Sequence, residues 1–196
     1  MNLIELTSPA AEDYPVRALA DHLRLGTGFS DDGSLDQLLE AYLRTAVASI
    51  EGRTGKITLT RDYAWEIARW ATCERQGLPL APVTAVTRVA LIGRDGTETD
   101  VSPESYGLRQ DSQRPTLEAV ALPTIPTLGT VRIEFTAGFG ADWEDSPADL
   151  RQAILMLAAH YFEHRTATGA RLRELPFGVL QLIERFRPMR LLGDRL

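Results

Sequence analysis

The chain has 196 residues, of which 44% are hydrophobic, and it carries a formal net charge of −6. A chain of this size can bury one substantial core, but no apolar stretch approaches the ~20 residues that a membrane-spanning helix requires. Its single cysteine, Cys73, excludes an intrachain disulfide and a cysteine-based zinc site, and the acidic balance argues against a protein that wraps around nucleic acid.

The first quarter of the chain predicts two helices. Residues 16–25 carry apolar side chains at helical spacing, and a break rich in glycine and aspartate follows. Ser34 is typical of an N-cap for a longer helix, whose apolar stripe continues to Ile50. Gly52 and Gly55 are expected to end this second helix.

After Lys56 the spacing of apolar residues changes from the period of a helix to that of a strand. Short extended segments then alternate with turns rich in glycine and proline, which is typical of antiparallel strands. Residues 57–137 are therefore predicted to form a small antiparallel β unit. Its expected segments are 57–67, 83–92, 97–101, 106–109, 116–120 and 130–136.

The helical period returns after the last of these segments. Ser146 at the N-cap, Pro147 at N1 and Asp149 at N3 together form a strong start signal. The helix is expected to reach about Arg165, and a last short helix is expected near residues 178–187. The chain thus begins and ends in helices.

These elements predict an α+β fold, in which N-terminal and C-terminal helices form a bundle with a small antiparallel β unit inserted between them. Residues 1–56 and 138–196 would form the helical body as one domain, and residues 57–137 the inserted unit. Residues 187–196 would form a C-terminal tail.

A glycine-rich strand-to-helix turn, Gly138-Phe139-Gly140, has the outline of a phosphate-binding loop. The dinucleotide fingerprint requires a third glycine where this chain has Trp143, and no Walker lysine is near. Carboxylates that would repel phosphate crowd the following helix start. The turn is therefore interpreted as a tight connection that needs residues without Cβ atoms. The carboxylates are Asp142, Glu144, Asp145 and Asp149.

Residues 160–164 match the pattern H-x-x-E-H of inverted zinc peptidases. His160 and His164 stand one helical turn apart, so both could reach one zinc ion, with Glu163 as the base. A third ligand would have to come from elsewhere, and Glu174 and Glu184 are the only nearby downstream carboxylates. A zinc metallopeptidase is therefore kept as an alternative to a non-enzymatic function.

The same helix face supports a second interpretation. Small and polar side chains there are suited to helix contacts between subunits. The face predicts a subunit interface made of Gln152, Ala153, Met156, His160 and His164.

The C-terminal segment mixes apolar and basic residues. Residues 165–196 hold seven arginines against three carboxylates, and Pro188 stops the last helix. Such a tail cannot bury its leucines alone, so it is either a frayed terminus or a segment that becomes ordered against a partner. The predicted partner-binding residues are Arg185, Arg187, Met189, Arg190, Leu191, Leu192 and Leu196.

The order of these signals resembles the head-tail connector, or adaptor, family of tailed bacteriophages, and in particular the adaptor of phage-like gene transfer agents. The resemblance covers most of the chain, and the order and spacing of its pieces are more specific than any single piece. The matching stretches are LTSPAAEDYPVRALADHLRL, LLEAYLRTAVASIEGRTG, PLAPVTAVTRVALIGRDGTETDVSPESYGL, FTAGFG, PADLRQAILMLAAHYFEHR and ELPFGVLQLIERFR.

This resemblance implies a structural protein without a cofactor, a metal or a membrane contact. It implies a twelvefold ring under the portal protein that extends the DNA channel, without binding DNA specifically, and meets a neck or tail component such as a stopper or tail terminator. Residues 184–196 are the expected portal-docking element, and the β unit is expected to offer two partly apolar faces. The protein would be assembled in the bacterial cytoplasm and lie in the neck of the particle. A monomeric binding module is the third alternative.

Overall fold

The computed structural model describes residues 2–25, 34–165 and 175–187. Within these ranges the chain forms four α-helices and eight β-strands, and the strands make two antiparallel sheets. The mixture of helices with antiparallel sheets confirms the predicted α+β class.

The chain divides into two compact units. Residues 2–8 and 59–139 form the first unit, which contains both sheets. The described residues within 9–58 and 140–187 form the second unit, which contains the four helices. Each unit is therefore built from two separate stretches of the chain.

The helical unit is organised around its two long helices. The helices are α1 (Val16–His22), α2 (Ser34–Thr54), α3 (Ala148–Glu163) and α4 (Phe177–Ile183). α2 packs against both α1 and α3, and α3 packs against α4. The Tyr42 and Phe162 rings meet edge to face with their centroids 5.9 Å apart. The fully buried side chains of the helices include Leu19, Leu39, Leu43, Ile50, Leu150, Ile154, Leu157 and Ile183.

Two helix ends differ from the sequence-based expectation. α2 continues through Gly52, and the chain leaves the helix at Gly55, whose φ of +67° is a conformation that glycine adopts without strain. α4 ends at Ile183, and a 3₁₀ turn continues the chain over Glu184–Phe186. This turn buries Phe186, which therefore belongs to the folded body and not to an exposed tail.

The start of α3 also corrects the prediction. Ser146 is not the N-cap: its hydroxyl donates a hydrogen bond to the Thr58 carbonyl at 3.2 Å, and Pro147 occupies the N-cap position. Ser146 is buried, so the contact with a residue far away in sequence takes the place of a local cap. Asp149 still lies in the first turn, where its charge complements the helix dipole.

The strands form one large and one small sheet. The strands are β1 (Asn2–Glu5), β2 (Arg61–Ile67), β3 (Arg75–Gly77), β4 (Val83–Ile92), β5 (Glu98–Asp100), β6 (Gly107–Arg109), β7 (Thr116–Glu118) and β8 (Thr130–Ala137). In the five-stranded sheet the order is β1-β2-β8-β4-β5, and in the three-stranded sheet it is β3-β7-β6. Each neighbouring pair is antiparallel.

The first extended segment of the predicted β unit begins a few residues later than expected. Strand β2 starts at Arg61, whereas Ile57, Thr58 and Leu59 are buried outside it. The Thr58 amide and hydroxyl both donate hydrogen bonds to one carboxylate oxygen of Glu51, at 2.8 and 2.7 Å. Thr58 therefore belongs with the helical unit.

The five-stranded sheet has one apolar and one polar face. On β8, Val131, Ile133 and Phe135 are fully buried and alternate with partly exposed polar residues, as the sequence predicts. Phe135 stacks on Tyr63 of β2 with a centroid distance of 5.8 Å. The apolar face is therefore the core of this unit.

The glycine-rich turn after β8 has a steric explanation. Gly138 has a φ of +144°, and a Cβ atom there would lie 2.5 Å from the Thr60 Cα atom and 2.6 Å from its nitrogen. A carboxylate oxygen of Asp145 accepts a hydrogen bond from the Asp142 amide at 3.1 Å, so this acidic residue stabilises the chain directly after the turn. Gly138 and Asp145 thus both have a structural role in this connection.

Candidate functional site

The H-x-x-E-H pattern lies at the C-terminal end of α3. The His160 and His164 rings have centroids 4.3 Å apart, and His164 Nδ1 lies 3.0 Å from the His160 carbonyl oxygen. His160 Nε2 is buried, and no hydrogen-bond partner for it occurs in the described part of the chain. Burial, and after it the proximity of His164, lowers the pKa of His160. The neutral imidazole is therefore favoured in the folded protein.

The described ranges contain no arrangement of residues typical of a metal site or of a membrane span. Within them, no three residues of the types His, Cys, Asp and Glu come together so that they could hold a metal ion. Among the helices of the same ranges, none has both the length and the apolar character needed to cross a bilayer.

The lowered pKa of His160 predicts a pH dependence of folding stability. Its stabilising contribution is fully present above the unfolded-state pKa of about 6.5 and is lost as the pH falls through the lower folded-state pKa. Between pH 7.5 and 5.5, urea unfolding is expected to show a larger loss of stability for the wild type than for His160→Gln. The control is His22→Gln, because His22 is solvent-exposed. Equal losses in wild type and His160→Gln would contradict the prediction.

The predicted interface residues on α3 have different environments. Gln152 and His164 are exposed, whereas Ala153 has no exposed surface, so Ala153 cannot contact another subunit in this conformation. Met156 approaches α4, since a Cβ atom at Gly178 would lie 2.8 Å from its terminal methyl carbon. Helical spacing alone places Ala153 and Met156 on a surface, and it does not reveal which positions of a helix the rest of the chain covers.

The first residues of the predicted partner-binding segment make intrachain ion pairs. Arg185 pairs with Asp149 at 3.1 Å, and Arg187 pairs with Glu184 at 3.2 Å. Each arginine keeps more than half of its side chain exposed, so both can contact a partner. The other predicted residues lie outside the described residues. They are Met189, Arg190, Leu191, Leu192 and Leu196.

The polar face of the five-stranded sheet carries a network of ion pairs. Arg132 on β8 contacts Glu66 on β2 at 2.7 Å and Glu98 on β5 at 2.6 Å. Its hydrogen bond to Glu66 is the main reason that the pKa of Arg132 is raised. Arg132 thus links a carboxylate of β2 with a carboxylate of β5 across the sheet.

Arg88 on β4 extends the same network. It contacts Glu98 at 2.9 Å, Asp100 at 2.7 Å and Glu134 at 3.4 Å. The hydrogen bonds to Glu98 and Asp100 raise the pKa of Arg88. We call these two arginines and their four carboxylates (Glu66, Glu98, Asp100 and Glu134) the polar sheet face.

The polar sheet face also carries apolar residues, since Ala64 lies opposite Glu134 and Ala90 lies opposite Arg132. The expectation of two partly apolar faces on the β unit stays a prediction. The sequence shows the alternating polar residues of β8, but the residues that pair with them lie on strands far away along the chain. The face has four carboxylates and two arginines, so its balance is acidic although every arginine in it is paired.

Several solved structures match the chain over its whole length. Neither a protein-family model nor a curated protein matches it. A chain in the neck of an empty gene transfer agent (GTA) particle, computed with C6 symmetry, is 46% identical, with a TM-score of 0.89. A chain in the virion of a native GTA particle is 46% identical with a TM-score of 0.87, and one in a native GTA neck, computed with C12 symmetry, is 42% identical with a TM-score of 0.85.

In all three comparisons the match covers 100% of both chains. Identities above 40% over the full length are far beyond what a shared fold alone produces. The resemblance predicted from the sequence is confirmed, and the chain belongs to the gene transfer agent members of the head-tail connector (adaptor) family, as a structural component of the particle neck.

Proposed function

We propose that the protein is a non-enzymatic adaptor that forms a ring under the portal, extends the DNA channel and joins the head to the neck or tail. The observation that carries this proposal is the full-length similarity to chains in GTA necks computed with C6 and C12 symmetry. A twelvefold ring is the assembly we propose for this chain, with the portal on one side and a stopper or tail terminator on the other.

A cyclic ring requires two different, complementary surfaces on each subunit. The accessible part of α3, with Gln152, His160 and His164, is a candidate for one of them, because these side chains are exposed or partly exposed. The division into a helical body and an inserted β unit is part of the proposal, since each could supply one surface.

The charge distribution supports passage of DNA without binding. Affinity for DNA comes mainly from arginines and lysines that neutralise phosphates. The chain has a net charge of −6, and the arginines of the polar sheet face are already paired with carboxylates. A ring made of such subunits would add little affinity for DNA in the channel.

The C-terminal segment is the proposed contact with the portal. Arg185 and Arg187 present exposed guanidinium groups at the end of the helical unit. Residues 188–196 add four apolar side chains and two further arginines. This combination fits a partner groove that is apolar and lined by carboxylates.

Deletion of the gene in producing cells tests the proposed function. We expect DNA-filled heads without tails, because the joint between head and tail is missing, and electron microscopy counts the two kinds of particle. Wild-type protein and Glu163→Gln are both expected to restore tailed particles, since the exposed carboxylate that would be the base of a peptidase has no catalytic role in an adaptor. Tailed particles in the deletion strain, or a folded Glu163→Gln protein that restores none, would contradict the proposal.

A further inference from the structure

Strand β1 lies at one edge of the five-stranded sheet. In an antiparallel pair, every second residue exchanges hydrogen bonds with its partner, and the residues between them direct their backbone groups away. The Leu6 amide bonds to the Asp62 carbonyl at 2.8 Å, which places Ile4 opposite Ala64 in the next bonded pair. The amide and carbonyl groups of Leu3 and Glu5 therefore point outward from the sheet.

The side chains along this edge are exposed and mainly apolar. Leu3 is 36% exposed, Ile4 44% and Leu6 52%. Glu5 is the charged residue of the strand, and its carboxylate already pairs with Arg61 at 3.0 Å and accepts the Ser8 hydroxyl at 2.8 Å. The edge thus presents backbone hydrogen-bonding groups between apolar side chains, which is the chemistry that an added strand recognises.

The opposite edge of the same sheet is protected. Sheet edges are normally guarded by charges, short strands or a covering chain segment. β5 has three residues and carries two of the ion-paired carboxylates of the polar sheet face. Beyond β5, the Val101 amide bonds to the Val89 carbonyl, and the Gln110 side chain donates to the Thr84 carbonyl. Apart from its short length and the ion-paired Glu5, β1 shows none of these devices among the described residues.

We propose that β1 adds an extended segment of a second copy of this chain to the sheet, and that this pairing is a contact between neighbours in the ring. The inference rests on the proposed function, which places an identical neighbour beside every subunit. Two outward-facing residues provide only a few backbone hydrogen bonds, too few to hold two free molecules together. Such a weak contact forms when the partner is held at high effective concentration, as a ring neighbour is.

Photo-crosslinking in assembled particles identifies the partner of β1. A benzophenone amino acid replaces Leu6, particles are purified from producing cells, and the crosslinked products are identified by mass spectrometry. We expect products that join two copies of this chain. The same label at Val120, which is 96% exposed in a loop, is expected to give fewer of these products.

Proline substitutions test whether the outward backbone groups form the contact. Leu3→Pro removes an amide that faces away from β2, and proline is tolerated at such an edge position. Leu3→Ala is the matched control, because it shortens the side chain and keeps the amide. Leu3→Pro is expected to reduce the copy-to-copy crosslink from position 6 about tenfold relative to Leu3→Ala, with an unchanged melting temperature.

The outcomes separate this inference from the proposed function. If the chain is present in necks but position 6 crosslinks only to another component or to none, the β1 inference is overturned and the adaptor function stands. Equal crosslinking in Leu3→Pro and Leu3→Ala overturns it as well. Absence of the wild-type chain from necks overturns the proposed function and this inference with it.

Discussion

Deletion of residues 188–196 is expected to leave a folded protein that no longer joins portal-bearing heads. The cut follows Arg187 because Phe186 is buried, and its loss would cost about 3–5 kcal/mol of stability. If the tail supplies the portal contact, each 1.4 kcal/mol of lost binding free energy weakens the affinity for the portal about tenfold, and the yield of tailed particles falls by up to that factor. Electron microscopy of particles from complemented deletion cells measures that yield.

A second variant separates the chemistry of the tail from its length. Replacement of Met189, Leu191, Leu192 and Leu196 by serine keeps the segment and removes its apolar side chains. We expect this variant to fail as the truncation does, while the melting temperature of both proteins stays near that of the wild type. Normal numbers of tailed particles with either variant would show that the portal contact lies elsewhere.

Gly138→Ala is expected to destabilise the protein by about 3 kcal/mol or more. Two costs add: the φ of +144° is unfavourable for any residue with a Cβ atom, and that atom would overlap the backbone of Thr60 and Leu59. Backbone atoms cannot move aside as the end of a side chain can. Urea unfolding followed by circular dichroism gives the change in the free energy of unfolding.

Gly77→Ala is the matched control for this substitution. Gly77 lies in β3, and a Cβ atom there would meet nothing within 4 Å. Its effect is expected to stay within about 0.5 kcal/mol. A Gly138→Ala protein as stable as the control would show that the turn tolerates a side chain, and the steric account of the glycine-rich connection would be wrong.

The long regular elements could be predicted because their signals are local. α2, α3 and β8 each show a clear period over enough residues to identify the element and its buried face. β1 has four residues, and it pairs with a strand about sixty positions away. No local period identifies so short a strand, and its pairing depends on contacts that the sequence does not show.

Other differences arise from contacts between distant parts of the chain. Ser146 has the sequence position of an N-cap, yet it bonds to Thr58. Ala153 and Met156 have the spacing of a surface stripe, yet one is fully buried and the other approaches α4. In each case a tertiary contact replaced the local role that spacing suggested.

The candidate surfaces could be predicted less completely than the fold. The sequence shows the basic and apolar tail and the polar side of α3, because each is contiguous or periodic. It does not show the polar sheet face, whose charges come from four strands, or the exposed edge of β1. The order of matching stretches along the chain indicated the family, which no single site residue could do.

A reconstruction of the neck from particles that contain this chain tests the central claim most directly. The account predicts a closed ring of twelve copies directly beneath the portal, with DNA passing through its centre and residues 188–196 against the portal. A neck without this chain, or a chain that occurs there without forming a ring at the portal, would contradict the proposed adaptor function.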